Sequence, residues 1–260
     1  FLFGWVATSL SLHKLLVFFP QRHGTLFSAR KKFLISRIAD ASLLAAFAII
    51  YSRLGSQNFD TIFNTLAVSQ DATVNVAVWL IALSAILKSA QFPFHTWLPD
   101  TMGTPTPVSA LMHAGIINAG GVLLIRFGPL FGSYPGALYA IAIVGATTAI
   151  YASFVMLAQT SVKRALAYST IAQMGFMLLQ CGFGAFHLAL LHIFAHSLYK
   201  AHSFLSSGSS VATIQSLASS KPMETRSSAT LLTAMAVSFL VVLALSSVFG
   251  LQGQDKPGSV

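Results

Sequence analysis

Charge is what this chain has least of. Only 8% of its 260 residues are Asp, Glu, Lys or Arg, against roughly 25% in soluble domains. So few charges exclude an ordinary water-facing surface. The residues that replace them are apolar: 55% of the chain is hydrophobic. They fall in long unbroken runs, the mark of helices that cross a bilayer. Cysteine is nearly missing too. The single Cys181 excludes an internal disulfide framework and a cysteine-based metal cluster. No phosphate loop, redox-cofactor motif or nucleophile–base arrangement is found, so no catalytic role, cofactor or metal is assigned to the chain itself. The first run, 1–19, has no basic n-region and no small-residue cleavage site, so it is not read as a signal peptide. It reads as the interior of a transmembrane helix in a piece of a longer protein.

At about 20 residues per crossing, about eight candidate spans follow: 1–19, 33–54, 74–92, 107–127, 134–157, 164–184, 185–210 and 229–250. The expected fold is all-α, a polytopic transmembrane helix bundle with one broken helix. It forms a single domain over 1–250 with a polar tail at 251–260. Strands are not expected, because lipid admits only helices or closed barrels and these runs are too long for barrel strands. The net charge of +9 does not point to nucleic acid, because Lys and Arg sit mainly in short loops. Arg22, Arg30, Lys31 and Lys32 fall in loop 20–32, Lys163 and Arg164 in loop 158–164, and Lys221 and Arg226 in loop 211–228. The positive-inside rule places these loops on the cytoplasmic side. Loop 55–73, with Asp60 and Asp71, then lies outside.

The charges within the spans carry the functional content, because an ionisable group at membrane depth is expensive and marks a site by default. Lys88 ends the apolar run from Val74 to Leu87. An aromatic, proline-broken stretch with Gln91, Phe92, Pro93, Phe94 and Trp97 follows it, and a new run opens at Pro107. A snorkelling lysine would precede a watery segment, and this one does not. A broken helix beside a charge is how transporters frame an ion site. In the second span Arg37 and Asp40 share a helix face at i,i+3 spacing. Asp40 reads either as the partner of an interfacial arginine or as the carboxylate of a buried relay. His113, about two turns past Pro107, reads either as a hydrogen-bonded structural group or as a proton carrier suited by its ordinary pKa of about 6.5. Lys163 reads as an anchor at a helix start or as a further relay group. His192, His196 and Lys200 recur at i, i+4 and i+8, a stripe about 80° wide. Zinc is disfavoured there, because the zincin pattern needs Glu after the first His and Ile193 stands in that place. A line of titratable groups along one helix reads better as a proton wire.

Three segments in this order resemble a known family. They are Lys88-Ser-Ala-Gln-Phe-Pro-Phe-His-Thr-Trp-Leu-Pro-Asp100, Pro105-Thr-Pro-Val-Ser-Ala-Leu-Met-His113 and Lys163-Arg-Ala-Leu-Ala-Tyr-Ser-Thr-Ile-Ala-Gln-Met-Gly175. They are similar to the antiporter-like, proton-translocating membrane subunits of respiratory complex I and the Mrp antiporters. The resemblance implies a larger bundle of about fourteen helices, of which this chain is a part. It also implies roles. Lys88 corresponds to the lysine of the broken helix and His113 to a bridging histidine. Lys163, His192, His196 and Lys200 belong to a hydrated polar axis, and Arg37 with Asp40 form the neighbouring basic and acidic pair. Gln91, Pro93 and Pro107 support the break. Complex I subunits commonly carry glutamate after Gly-Trp in the first span. Here Val6 follows Gly4-Trp5, which leaves Asp40 as the carboxylate for Lys88.

Ser11-Leu-His-Lys-Leu-Leu16, Ala29-Arg-Lys-Lys-Phe-Leu-Ile-Ser-Arg-Ile-Ala-Asp40 and His196-Ser-Leu-Tyr-Lys-Ala-His-Ser-Phe-Leu-Ser-Ser-Gly208 look most like the DabB-type subunits of DabA–DabB inorganic-carbon pumps. That resemblance implies conduction of protons or Na⁺ in a bacterial inner membrane, beside a zinc-containing DabA-like partner. The competing reading is a proton-pumping subunit among the other membrane subunits of complex I, with the NADH dehydrogenase label that family association brings. A further reading is a membrane scaffold that retains an inert polar axis.

Overall fold

The computed structural model describes residues 1–18, 23–56, 58–66, 71–208 and 228–248. Phe1–Leu205 forms one compact unit and Ser206–Val260 a second. The described residues are helical or irregular, without strands. In the first unit the long helices are α1 (Leu2–Leu16), α2 (His23–Leu54), α4 (Ala72–Lys88), α9 (Pro135–Leu157), α10 (Val162–Gly182) and α11 (Phe186–Ser207), the last ending just past the unit boundary. Shorter pieces lie between them: α3 (Phe59–Leu66), α5 (Trp97–Asp100), α6 (Thr106–Ala114), α7 (Ala119–Arg126) and α8 (Gly128–Phe131). The second unit contains α12 (Ser228–Val248), an almost wholly apolar helix. Lys221, Arg226 and the tail 251–260 lie outside the described residues.

Among the described residues, three helices are long and apolar enough to cross a membrane: Leu26–Leu54, Thr106–Arg126 and Pro135–Leu157. Ala72–Lys88 is apolar but shorter. Helix α2 has 32 residues, about 48 Å at 1.5 Å per residue, well beyond the ~30 Å hydrocarbon layer. Its start is therefore not the loop expected over 20–32. Arg30, Lys31 and Lys32 are helical, and Lys32 is buried. Those first turns dock on α1 and on the Asp100 segment, which holds them in helical form.

The apolar surface is turned outward. On α9, Tyr139, Ile143, Ile150 and Phe154 are exposed, while Ala142, Gly145, Thr148 and Ala152 face the protein. Small residues inside and large ones outside let membrane helices approach closely. At the α9–α10 crossing, a Cβ on Gly145 would stand 2.6 Å from the Gly175 carbonyl oxygen, so neither helix can retreat from a side chain there.

The interruption after Lys88 is a built helix terminus. Gln91 N–H donates to the Ile86 carbonyl at 3.3 Å, and Ser89 N–H to that of Ala85 at 3.0 Å. With Ala90 at φ +49° this is the 6→1 closure of a Schellman-type end, but with alanine where glycine is usual. The chain then runs to α5, pinned by the Phe92 N–H donating to Thr148 Oγ1 of α9 at 3.0 Å.

A second interruption lies inside the predicted span 107–127. Residues Ile116–Asn118 tighten into a 3₁₀ turn between α6 and α7. Asn118 repairs it: Nδ2 donates to the Ala114 carbonyl at 2.8 Å and to Ser197 Oγ of α11 at 3.0 Å. Irregular backbone at membrane depth is tolerated where its polar groups are met in this way.

Candidate functional site

Lys88 is the last residue of α4, so its ammonium lies at the negative end of a helix. Packing of α2 against α4 brings Asp40 to it. Lys88 Nζ stands 3.0 Å from Asp40 Oδ1, and the two side chains are 8% and 5% exposed. Arg37, one turn earlier, places Nη2 2.6 Å from Asp40 Oδ2 and remains 31% exposed. One carboxylate is thus shared by two cations. Trp5 of α1 closes the group from the other side, its ring centre 4.9 Å from Lys88 Nζ. The next residue, Val6, is half-buried against the apolar core. Gln91 is fully buried, its Nε2 donating to the Ser89 carbonyl at 2.8 Å, so it supports the helix end without touching the ion pair. Pro93 is exposed in the connecting segment, and Pro107 sits in the first turn of α6, where a missing N–H costs nothing.

A second polar group forms between α6, α10 and α11. His113 is wholly buried, with Nδ1 3.0 Å from Thr170 Oγ1 and its ring stacked at 4.3 Å on Phe204. Its Nε2 has no protein partner among the described residues. Lys200 is equally buried. Its Nζ donates to Ser169 Oγ at 2.8 Å and to the Leu166 carbonyl at 3.2 Å. Among the described residues no carboxylate lies within ion-pair distance of it. Lys200 is therefore held by neutral oxygens, whereas Lys88 is held by a charge. His196 is buried and His192 half-buried, their ring centres 6.1 Å apart. His192 Nδ1 lies 3.2 Å from Gln180 Oε1 of α10. His187 and His202, off the stripe, are exposed.

The structure joins Lys88 with Asp40 and Arg37, and His113 with the elements that carry His192, His196 and Lys200. It does not put the two groups in contact. Met112, Ile116 and Ile117 line a small cavity with Lys88. Lys163 lies in the first turn of α10. It is half-buried and donates from Nζ to the Thr104 carbonyl at 3.1 Å. On the same segment Asp100 pairs with Lys31 at 3.3 Å, and its carbonyl accepts from Ser28 Oγ at 2.9 Å. Asp100–Thr104 thus ties the start of α2 to the start of α10.

Two residues of this region are not legible from sequence alone. Asn118 carries no pattern beyond a polar residue near glycines. Lys32 lies beside Lys31 in what reads as a basic loop. In the structure Lys32 points inward, donating to the Ser9 carbonyl at 2.9 Å and to Ser9 Oγ at 3.2 Å. The available signal is the helical continuity from Lys32 to Asp40, two turns apart on one face.

Comparison with known proteins adds a frame. Residues 1–254 match the family model described as NADH:quinone oxidoreductase/Mrp antiporter, transmembrane. A probable inorganic carbon transporter subunit DabB of Hydrogenovibrio crunogenus is 49% identical over 210 residues, covering 80% of this chain and 40% of the relative. A probable subunit DabB2 of Halothiobacillus neapolitanus is 44% identical over 257 residues, covering 97% of this chain and 46% of the relative. The chain therefore spans less than half the length of these relatives. Among solved structures, the Mrp complex from Dietzia sp. superposes with a TM-score of 0.72 at 34% identity, over 78% of this chain and 23% of that one.

Proposed function

The chain belongs to the NADH:quinone oxidoreductase/Mrp antiporter transmembrane family, and from that premise we propose that it is part of the proton-conducting subunit of an energy-coupled inorganic-carbon pump. The observation that carries the proposal is the buried Lys88–Asp40–Arg37 group at the end of a broken helix. Such a group stores a proton at a place where its electrostatic partner can move. His113, His196, His192 and Lys200 supply further stations, and a proton crosses the gap by way of water in the cavity beside Lys88. Lys163 has the smaller role of setting the segment at Thr104. The identities with DabB subunits support the carbon-pump setting, in which downhill flow through this subunit drives a zinc-containing DabA-like partner in a bacterial inner membrane.

The family description also admits a subunit of NADH:quinone oxidoreductase, in which electron transfer elsewhere drives the same path uphill. Val6 beside Trp5 favours the carbon pump, since complex I subunits commonly place a glutamate there. The deciding experiment is Lys88→Ala in the complete protein with its partner, measuring dissolved inorganic-carbon uptake and dye-reported proton flux. Loss of both by at least ten-fold, with the complex intact, is the expected result. Wild-type flux and uptake would refute the relay and leave an inert scaffold.

A further inference from the structure

Among the described residues, Lys32 is the one buried lysine or arginine that the proposed path leaves unused. It sits on α2, about two turns before Asp40, with Ser9 of α1 against it. It also lines one small cavity with Lys88. That cavity, of about 20 Å³, is lined by Lys32 and Lys88 together with Thr8, Ser9, Ser36 and Trp97. That volume accommodates about one water, and the walls offer the polar partners a water needs.

The contacts of Lys32 fit an amine that is protonated at one moment and neutral at the next. Its two hydrogen bonds, to the Ser9 carbonyl and Ser9 Oγ, occupy two of the three outward directions of the nitrogen. The third direction carries either a proton or a lone pair. A neutral amine keeps both bonds to Ser9, so losing the proton strands nothing. The charge count points the same way. Lys32, Arg37 and Lys88 gather around the single carboxylate of Asp40, and unbalanced buried charge is costly. His13, one turn beyond Ser9 on α1 with its ring 4.8 Å from Phe33, is the other titratable side chain on this face. Next to Lys32 in sequence, Lys31 meets Asp100 at a part-exposed edge of the unit.

We propose that Lys32 is a proton-relay residue that exchanges its proton with Lys88 through one water. In the step, an N–H bond of the Lys88 ammonium breaks as the water accepts the proton. The water gives up another of its protons to the Lys32 nitrogen, where a new N–H bond forms. No electrons change hands, and the reverse step resets the pair. The inference rests on the proton-conducting reading of Lys88.

The test is Lys32→Arg in the complete protein with its partner subunit. Arginine keeps the charge and the donors to Ser9 but does not release a proton in a protein. The expected result is at least a ten-fold loss of dye-reported proton flux per intact complex, with Lys32→His retaining flux and displaying a shifted pH profile. Normal flux in Lys32→Arg overturns the proposal. If Lys32→Arg does not assemble, Lys32→His decides: flux with an unaltered pH profile overturns it. Lys88→Ala in parallel separates the two readings. Loss of flux at Lys88 with wild-type flux in Lys32→Arg removes Lys32 alone, whereas wild-type flux in Lys88→Ala removes the underlying relay.

Discussion

Asp40→Asn is the perturbation that asks most of the structure. It keeps the size of the side chain and removes its charge, leaving Lys88 and Arg37 to face a neutral amide. The two cations are unequal. Arg37 is 31% exposed, whereas Lys88 is 8% exposed. At 3.0 Å and an effective dielectric near 20, the Lys88–Asp40 attraction is about 5–6 kcal/mol. Asparagine's oxygen recovers part of that as a hydrogen bond. Breaking a buried pair by removing one partner costs about 3–5 kcal/mol, and that is the destabilisation expected here. It is a large share of the ~5–15 kcal/mol that holds a typical protein folded. The second mutation separates stability from transport. Lys88→Met with Asp40→Asn removes the stranded ammonium as well, so at least half of the lost stability should return, while proton flux stays at background. The assays are denaturation of the purified full-length protein in detergent and dye-reported flux in proteoliposomes. A cost below about 1 kcal/mol for Asp40→Asn, or a double variant less stable than both singles, refutes the electrostatic account.

Two further outcomes test the breaks that frame the site. Ala90 at φ +49° occupies a conformation that costs a residue bearing Cβ about 1–2 kcal/mol. Ala90→Gly should therefore stabilise by up to about 1 kcal/mol after glycine's extra backbone entropy, and Ala90→Val should destabilise by more than about 1 kcal/mol, both read as shifts in melting temperature. Asn118→Leu leaves the Ala114 carbonyl and Ser197 hydroxyl without the donor that meets them. A loss of about 1–3 kcal/mol is expected, with faster hydrogen exchange at the 3₁₀ turn; unchanged exchange there would show that the repair is made by other groups.

The membrane character, the helical class and the position of Lys88 beside a break are all readable from sequence. Each depends on local quantities: run length, composition and the proline-rich stretch that ends at Pro107. The family resemblance has the same basis, since its segments are contiguous. Apolar runs also mark the helices, and α9 (Pro135–Leu157) and α10 (Val162–Gly182) lie within two residues of the spans read at 134–157 and 164–184. The resemblance pairs Asp40 with Lys88, but the geometry that relates distant residues is not in the sequence. Lys88 meets Asp40 because α2 packs on α4, and His113 meets Thr170 because α7, which follows α6 in the chain, packs on α10. No periodicity along one helix encodes those pairs. Lys32 is the sharpest case. A basic cluster next to an apolar run looks like an interfacial loop, because one-dimensional charge counting cannot tell a side chain facing water from one facing Ser9. Only the docking of α1 on an α2 longer than the bilayer decides that Lys31 points outward to Asp100 while its neighbour, turned about 100° around the helix, points in.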